Sequence, residues 1–303
     1  MIAIDLGSNS LRMIERDCSK KIFTAEYEKI VKTAELLHSE GLISPAAQER
    51  ILEGFKEASN IFDFNNQRCV AVTTEAMRRA SNSTEVLVKI YEETGVKFDI
   101  IGAHKEAELT LLAVDKRLEH LGFRGSFLLV DIGGGSTEII FKKGNISESK
   151  SFPVGIVTMA SKYPSQEELH RHLSQELSEI KAYVEDYYKA EGKPDFFVAT
   201  AGTPTTIAAF KQGMTYDSYD VERVNGSTLN YFDCIRALDD LLALSFDERA
   251  RYVGVGREEL IISGVMIYAS LFDLFDYESS VIIDDGLREG LAISACENSL
   301  SLG

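Results

Sequence analysis

The amino-acid sequence predicts an α/β protein made of two duplicated domains with a cleft between them. Its 303 residues exceed what one hydrophobic core usually needs. Segments with strand-like and helix-like patterns alternate along the chain. One motif, a strand followed by Asp-x-Gly, small polar residues and a second strand, occurs both at Asp5 and at Asp131. Such a repeat indicates two copies of one unit, with two unrelated α/β units as the alternative.

The first copy begins with two short apolar runs, over residues 2–6 and 11–15, which are joined by four turn-forming residues. This pattern predicts a β-hairpin, and residues 22–31 predict a further strand. Ser44 and Pro45 suit the N-cap and the first position of a helix, which apolar residues at helical spacing continue. The remaining predicted elements of this domain are a strand over 69–73, a helix beginning near Ser83, a strand over 96–101 and a helix over 104–121.

The pattern restarts at residues 122–125, so we expect domains over 1–122 and 123–303. An apolar run over 127–130, a glycine turn and a second run over 138–141 predict a hairpin like the first one. The further predicted elements are a helix over 166–191, a strand over 196–200, helices over 203–210, 232–244 and 260–275, a strand over 281–283 and a helix after Gly286. The last helix is a candidate to pack back on the first domain.

Composition narrows the class of protein. Hydrophobic residues make up 45% and charged residues 26% of the chain, which is typical of a globular protein without membrane spans. The first residues do not form a signal-peptide pattern, so a cytoplasmic location is expected. The net charge of -16 argues against a general nucleic-acid binder. The four cysteines are widely spaced and are interpreted as buried thiols: Cys18, Cys69, Cys234 and Cys296.

Three segments rich in glycine and small hydroxyl residues each follow a predicted strand. Glycine lets backbone N–H groups approach phosphate oxygens without a side chain in the way. The third segment also opens a helix, whose N-terminus favours an anion. Any one segment alone is more often a plain turn. Together they predict phosphate binding by the following residues: Gly7, Ser8, Asn9 and Ser10; Gly133, Gly134, Gly135, Ser136 and Thr137; Gly202, Thr203 and Thr205.

Three acidic residues, Asp5, Asp131 and Glu138, lie at these loops. Their carboxylates would repel a phosphate unless a cation lay between them, so they are predicted ligands of Mg²⁺ or another divalent cation such as Mn²⁺. Asp131 and Glu138 flank the glycine turn on adjoining strands, which would bring both to one end of the hairpin. For Asp131 alone, capping of the turn N–H groups is the alternative.

The segment Asp131-Ile132-Gly133-Gly134-Gly135-Ser136-Thr137-Glu138 resembles the signature of the exopolyphosphatase/guanosine pentaphosphate phosphatase family, Ppx/GppA. This family is a branch of the actin, sugar-kinase and heat-shock ATPase superfamily. Further segments resemble those of the family in the same order: 5–12, 73–80, 153–155, 201–206 and 285–290. The resemblance covers the chain from end to end and implies a duplicated actin-like, that is ribonuclease H-like, fold. It also implies hydrolysis of a terminal phosphoanhydride bond in inorganic polyphosphate or a guanosine polyphosphate.

The resemblance assigns further roles. The general base of the family is a glutamate at the start of the helix that crosses between the domains, and Glu106 occupies that position. Without the resemblance it would be one more solvated glutamate, but a carboxylate there suits orienting and deprotonating a water for in-line attack. Arg12 and Arg78 are expected to bind phosphate oxygens in a bidentate manner, with Arg257 as a weaker candidate.

Two departures from the family pattern add negative charge near the proposed substrate path. Glu108 stands where the family commonly has arginine, and Glu258 and Glu259 replace the usual neighbours of Arg257. They put processive binding of long polyphosphate in doubt. Two other functions stay open: an ATP-dependent kinase or ATPase on the same fold, and a sensor that binds guanosine polyphosphate without turnover. No nucleic-acid or membrane partner is expected, and a homodimer is left open.

Overall fold

The computed structural model describes residues 1–297, which form two compact units. The first unit contains Met1–Ala113 together with residues 285–297, and the second contains Val114–Asp284. This division differs from the predicted boundary after residue 122, because one helix, Ala103–His120, begins in the first unit and ends in the second. The predicted boundary placed residues 285–297 in the second domain, with their helix as a candidate to pack back on the first. They are grouped with the first unit, where this helix packs.

Each unit of the described chain holds one mixed β-sheet. The first sheet consists of β1 (Ile2–Leu6), β2 (Ser10–Asp17), β3 (Ile22–Ile30), β4 (Cys69–Thr73) and β5 (Phe98–Ile100), in the order β3-β2-β1-β4-β5. The second consists of β6 (Phe127–Ile132), β7 (Thr137–Lys143), β8 (Ile146–Phe152), β9 (Phe196–Thr200), β10 (Thr228–Asn230) and β11 (Ser279–Ile282), in the order β10-β11-β9-β6-β7-β8.

The helices of the described chain connect and flank these strands. They are α1 (Leu37–Glu40), α2 (Pro45–Ala58), α3 (Glu75–Arg79), α4 (Ser83–Thr94), α5 (Ala103–His120), α6 (Ile156–Lys162), α7 (Gln166–Glu176), α8 (Ser178–Glu191), α9 (Gly202–Lys211), α10 (Val221–Val224), α11 (Tyr231–Ala243), α12 (Phe246–Val253), α13 (Leu260–Phe275) and α14 (Leu287–Cys296). Within residues 1–297, none of them has both the length and the apolar character that a membrane crossing requires.

The two sheets repeat one design, which confirms the internal duplication predicted from the sequence. The first strand of each unit pairs antiparallel with the second and parallel with a strand that follows later. Asp5 lies opposite Arg12 in the first hairpin, and Asp131 lies opposite Glu138 in the second, at the same register position. The order β3-β2-β1-β4-β5 thus corresponds to β8-β7-β6-β9-β11, with β10 added at the edge.

The core of the first unit forms around β1, whose residues Ile2, Ala3, Ile4 and Leu6 are fully buried. Burial at successive positions, which point to opposite faces, shows that this strand is covered on both faces. Helix α14 packs against β1 and β2. Its Gly290 approaches α5 so closely that a Cβ atom there would stand 1.9 Å from the carbonyl oxygen of Leu109. This packing therefore requires glycine.

In the second unit, α13 is buried and apolar around most of its circumference, as a central helix must be. The ring of Phe197 on β9 contacts three aromatic rings of α13, those of Tyr268, Phe272 and Phe275, with ring centroids 5.4–6.3 Å apart. Edge-on and tilted aromatic contacts of this kind stabilise a core beyond the area that they bury. The predicted apolar helix is thus the centre of the second core.

The helix predicted over residues 166–191 is in fact two helices, α7 and α8. Helix α7 ends at its C-cap residue, Leu177, whose φ is -86° and ψ is -1°. The hydroxyl of Ser178 donates to the carbonyl of Gln175 at 2.6 Å, a local bond that competes with the helical ladder. Leu173 of α7 and Ile180 of α8 both lie in the core of the second unit. Strand β8 escaped prediction because its exposed edge position leaves most of its residues polar.

The interpretation of all four cysteines as buried thiols is wrong for two of them. Cys18 and Cys296 form a disulfide with a Cα–Cα distance of 5.3 Å across 278 residues of sequence. The pairing follows from the fold, since α14 packs on β1 and β2 and ends beside the turn after β2. Cys69 is half-buried and Cys234 is buried. Burial raises the pKa of the Cys234 thiol to about 12, so it behaves as a core residue.

Replacing Gly290 should destabilise the first unit. Because the added methyl group of Gly290→Ala meets backbone rather than a flexible side chain, α14 has to shift, and we expect a loss of about 1–3 kcal/mol in the free energy of unfolding. Urea denaturation measures this loss. Gly102→Ala is the matched control, since a Cβ there meets nothing within 4 Å; a loss at Gly290 no larger than at Gly102 would contradict the packing.

Candidate functional site

The loop of the first hairpin, residues 7–10, is held by hydrogen bonds that its carbonyl oxygens accept. The amide of Ala34 donates to the carbonyl of Ser8 at 2.8 Å, and the amides of Val31 and Lys32 donate to that of Asn9 at 2.9 Å. In a planar trans peptide the N–H group points away from the carbonyl of the same unit. The N–H groups of Asn9 and Ser10 therefore point away from the chain at residues 31–34, which is the orientation that anion binding needs.

The second hairpin loop is held in the same way by the start of α6. The amides of Ile156 and Val157 donate to the carbonyls of Gly133 and Gly134 at 3.0 and 2.8 Å. The hydroxyl of Thr158 donates to the carbonyl of Gly135 at 3.0 Å. By the same planarity, the N–H groups of Gly134, Gly135 and Ser136 point away from α6. The sequence singled out this loop but gave no sign of the helix that orients it.

Gly155 permits this contact between α6 and the loop. A Cβ atom at this position would stand 2.4 Å from both the carbonyl oxygen of Gly134 and the carbonyl carbon of Gly135. Since both are backbone atoms, any larger residue would push the loop away. The glycine of the Pro153-Val154-Gly155 segment is therefore a requirement of the loop geometry.

The third segment differs from the expectation for its side chains. Thr203 is buried, and its hydroxyl faces Gly264 of α13, where a Cβ atom would stand 2.2 Å from the Thr203 Oγ1. The hydroxyl of Thr205 donates to the carbonyl of Ala201 at 3.0 Å. These hydroxyls serve packing and the helix start. The backbone of Gly202 and Thr203 at the first turn of α9 is what stays a candidate for phosphate.

Ala201, between β9 and α9, has φ 73° and ψ -179°, a conformation that residues with a side chain rarely adopt. Strain of this kind persists only where the surroundings enforce it, and it is often found at functional sites. The third segment thus enters its helix through a strained residue, which the sequence did not reveal.

Glu106 lies in the first turn of α5, and Arg78 holds its carboxylate. The Nη1 of Arg78 donates to Glu106 Oε2 at 2.9 Å and to the carbonyl of Ile101 at 2.7 Å. Its Nε and Nη2 donate to Glu75 Oε2 at 3.3 and 3.0 Å. Within the described chain, protein acceptors thus use four of the five guanidinium N–H groups of Arg78.

These contacts also fix the charge of Arg78. Burial lowers the pKa of the guanidinium, but Glu106 and Glu75 outweigh this effect and raise the pKa above its ordinary value. Arg78 therefore stays positively charged, and its guanidinium lies next to the carboxylate of Glu106, the proposed base. The sequence identified Arg78 and Glu106 but missed Glu75, although its spacing of three residues from Arg78 was the available signal.

Arg12 occupies a cross-strand row in the first sheet, between Asp5 on β1 and Glu28 on β3. Its Nε donates to Glu28 Oε1 at 3.3 Å, and both side chains are partly exposed. Adjacent residues in such a row share one face of the sheet. The structure thus brings Arg12 beside Asp5, and the predicted role of Arg12 in phosphate binding stays a prediction.

Glu138 occupies the matching row in the second sheet. It lies opposite Asp131 on β6 and Ser151 on β8, so the three side chains share one face. Glu138 is only 2% exposed, and its Oε1 accepts from the hydroxyls of Ser136 at 2.8 Å and Ser151 at 2.7 Å. Only the strand register reveals Ser151, since nothing in the sequence near it signals a role.

The acidic pair Asp131 and Glu138 is therefore at one end of the hairpin, as predicted. In residues 1–297 no cluster of three or more histidine, cysteine, aspartate or glutamate side chains is arranged to hold a metal. Asp5 lies on the hairpin of the other unit. Mg²⁺ commonly uses one or two carboxylates together with water and substrate phosphates, and an oxygen-rich pair suits such a cation.

The remaining charged candidates lie on helices. Arg257 is half-buried ahead of α13. Its neighbour Glu258 is buried, with 4% exposure, so it does not add charge to the surface as expected, whereas Glu259 is exposed. Glu108 is exposed on α5 and pairs with Lys105 at 2.8 Å. Its charge is therefore partly offset by a neighbour on the same helix.

Comparison with known proteins places the chain in a family. The model of the Ppx/GppA phosphatase family matches residues 17–299. The chain is 26% identical over 319 aligned positions to the bifunctional 3-dehydroquinate synthase/phosphatase of Fusobacterium nucleatum, a match that covers 98% of the chain but only 46% of that protein. It is 25% identical over 319 positions to exopolyphosphatase 2 of Mycobacterium tuberculosis, covering 96% of the chain and 97% of that protein.

A solved structure agrees. The crystal structure of the Aquifex aeolicus member of the Ppx/GppA family superposes with a TM-score of 0.72 at 29% identity, covering 99% of this chain and 98% of that one. The duplicated sheets and their strand order accord with this likeness. The chain belongs to the Ppx/GppA phosphatase family and has its actin-like α/β fold.

Proposed function

We propose that the chain is a phosphohydrolase that releases the terminal phosphate of inorganic polyphosphate, guanosine pentaphosphate or both. The observation that carries the proposal is the orientation of the two hairpin loops. Their carbonyl oxygens are bound by other segments of the same unit, so their N–H groups point the other way. Oriented backbone N–H groups bind phosphate oxygens even in a chain of net charge -16.

Glu106 is the proposed general base. Its carboxylate orients a water molecule and accepts its proton while the water oxygen attacks the terminal phosphorus in line with the leaving oxygen. The bond between that phosphorus and the bridging oxygen breaks, and the shortened chain leaves with the bond electrons. Arg78 fixes the position of the carboxylate, and Arg78 and Arg12 are the proposed side-chain donors to phosphate oxygens.

Asp131 and Glu138 are the proposed ligands of Mg²⁺ or Mn²⁺, with Asp5 as a further candidate. The cation would neutralise phosphate charge beside two carboxylates that otherwise repel the substrate. The two serine hydroxyls that donate to Glu138 hold its carboxylate in one rotamer, as partners of metal ligands do. The fit of two carboxylates and nearby hydroxyls to a hard cation supports this assignment.

A sensor without turnover is the rival that the sequence left open, and one observation favours the hydrolase. Glu106 is not a solvated helix residue: its carboxylate, 13% exposed, is bound by a guanidinium that is itself held by a second carboxylate. Such a network is unnecessary for binding a polyanion, since an additional carboxylate weakens binding. It is useful for positioning a base.

Removing the base should abolish most of the turnover. For Glu106→Gln, which keeps the shape but cannot accept a proton, we expect kcat to fall by about 10²-fold or more with little change in substrate binding. Phosphate release from tripolyphosphate, guanosine pentaphosphate and long polyphosphate measures this. Glu108→Gln makes the same change two residues away at an exposed position and should keep kcat. Wild-type kcat in Glu106→Gln would remove this residue from the mechanism.

Removing one proposed metal ligand should change the metal requirement. We expect chelation to stop phosphate release, and Glu138→Ala to raise the Mg²⁺ concentration that gives the half-maximal rate, because one oxygen ligand is lost. A metal titration of the rate measures this. Glu148→Ala removes a carboxylate from the neighbouring strand β8 and should leave the titration unchanged. If both variants titrate like the wild type, Glu138 only shapes the turn.

A further inference from the structure

We propose that Glu75 is a positioning residue for the general base: it fixes the guanidinium of Arg78, which in turn holds the carboxylate of Glu106. The inference rests on the proposed function, because it assigns a role in the same reaction. Arg78 is hydrogen-bonded to both carboxylates and thereby links Glu75 to Glu106.

The first of these contacts, between Glu75 and Arg78, lies within one helix. Glu75 is the first residue of α3, and Arg78 follows three residues later, which places the two side chains on one helix face. A single oxygen, Glu75 Oε2, accepts from both Nε at 3.3 Å and Nη2 at 3.0 Å. Since these two nitrogens define one edge of a rigid plane, the carboxylate fixes the orientation of the guanidinium as well as its position.

The second contact is made by the other edge of the same plane. Nη1 donates to the carbonyl of Ile101, just before α5, and to Glu106 in its first turn. Because the guanidinium is flat, fixing the Nε and Nη2 edge at Glu75 determines where Nη1 lies. The position of the base carboxylate is therefore set from α3 as well as from its own helix.

Partial burial strengthens the electrostatic attraction in these contacts. The exposed fractions are 19% for Glu75, 19% for Arg78 and 13% for Glu106, so the pairs are screened less by water than surface pairs are. Arg79 also faces Glu75, with 3.7 Å between Nη1 and Oε1, but it is 45% exposed. Without Glu75, the guanidinium of Arg78 would be attracted to Glu106 or to an incoming phosphate and would no longer be fixed between them.

A double-mutant cycle on the full chain tests this. We expect Glu75→Gln to lower kcat by about tenfold to a hundredfold, the cost of misplacing a catalytic group, while KM changes by less than about threefold. In the Glu106→Gln background the same change should cost nothing further in kcat, because the group that Glu75 positions is no longer a base. Initial rates of phosphate release over a range of substrate concentrations measure kcat and KM for all four proteins. Glu75→Asp, which keeps the charge on a shorter side chain, should recover part of kcat.

The matched control is Glu57→Gln in the same unit, whose carboxylate also accepts from two partners, Tyr27 and Lys29, both at 2.6 Å. It should retain wild-type kcat. Two results would overturn the proposal: wild-type kcat in both Glu75 variants, or the same fold-loss from Glu75→Gln whether or not Glu106 is intact, which indicates a purely structural role. Either leaves the proposed hydrolase standing, whereas absent phosphate release by the wild-type chain would overturn the function itself.

Discussion

Both hairpin loops are held through their carbonyl oxygens, and peptide planarity then decides where their N–H groups point. In the first unit the amide of Ala34 binds the carbonyl of Ser8, and in the second the amide of Val157 binds that of Gly134. The hairpin bonds from Gly7 to Ser10 and from Gly133 to Ser136, at 3.0 and 2.9 Å, close the two turns identically. Hydrogen bonds within their own units thus hold both candidate phosphate loops.

The two duplicated hairpins have residues of different charge at the same register position. Arg12 in the first unit corresponds to Glu138 in the second, and their neighbours on the third strand are Glu28 and Ser151. A cation beside a carboxylate suits binding of phosphate oxygens, whereas an anion supported by hydroxyls suits a metal ligand. The same backbone position thus holds a basic residue in the first unit and an acidic residue in the second.

Much of this fold could be predicted from the sequence, because local signals and tertiary structure agree. The apolar run at β1, the N-cap Ser44, whose side chain accepts from the amide of Ala47, and the glycine turn after β6 each predict their element. The break at Leu177 could not be predicted, since the apolar residues Leu173, Leu177, Ile180 and Val184 keep helical spacing through it. The disulfide of Cys18 and Cys296 follows from the packing of α14, which spacing along the chain does not reveal.

In the candidate site, too, some residues could be predicted from the sequence and others could not. Residues that belong to a motif, such as Glu106 and Glu138, could be singled out from the sequence. Their partners could not: Ser151 reaches Glu138 only through the register of β7 and β8, and the start of α6 reaches the glycine loop only because Gly155 has no side chain. Residues that position others are specified by three-dimensional contacts, so a pattern along the chain does not identify them.

The position of the isotope label after hydrolysis in water enriched in ¹⁸O shows which phosphorus atom the water attacks. If water attacks the terminal phosphorus, each released phosphate carries one ¹⁸O atom from solvent, and the remaining polyphosphate or guanosine product carries none. Mass spectrometry of both products measures this. Label in the shortened chain instead, unlabelled phosphate, or no phosphate release from any of these substrates would contradict the proposal that this chain hydrolyses the terminal phosphoanhydride bond.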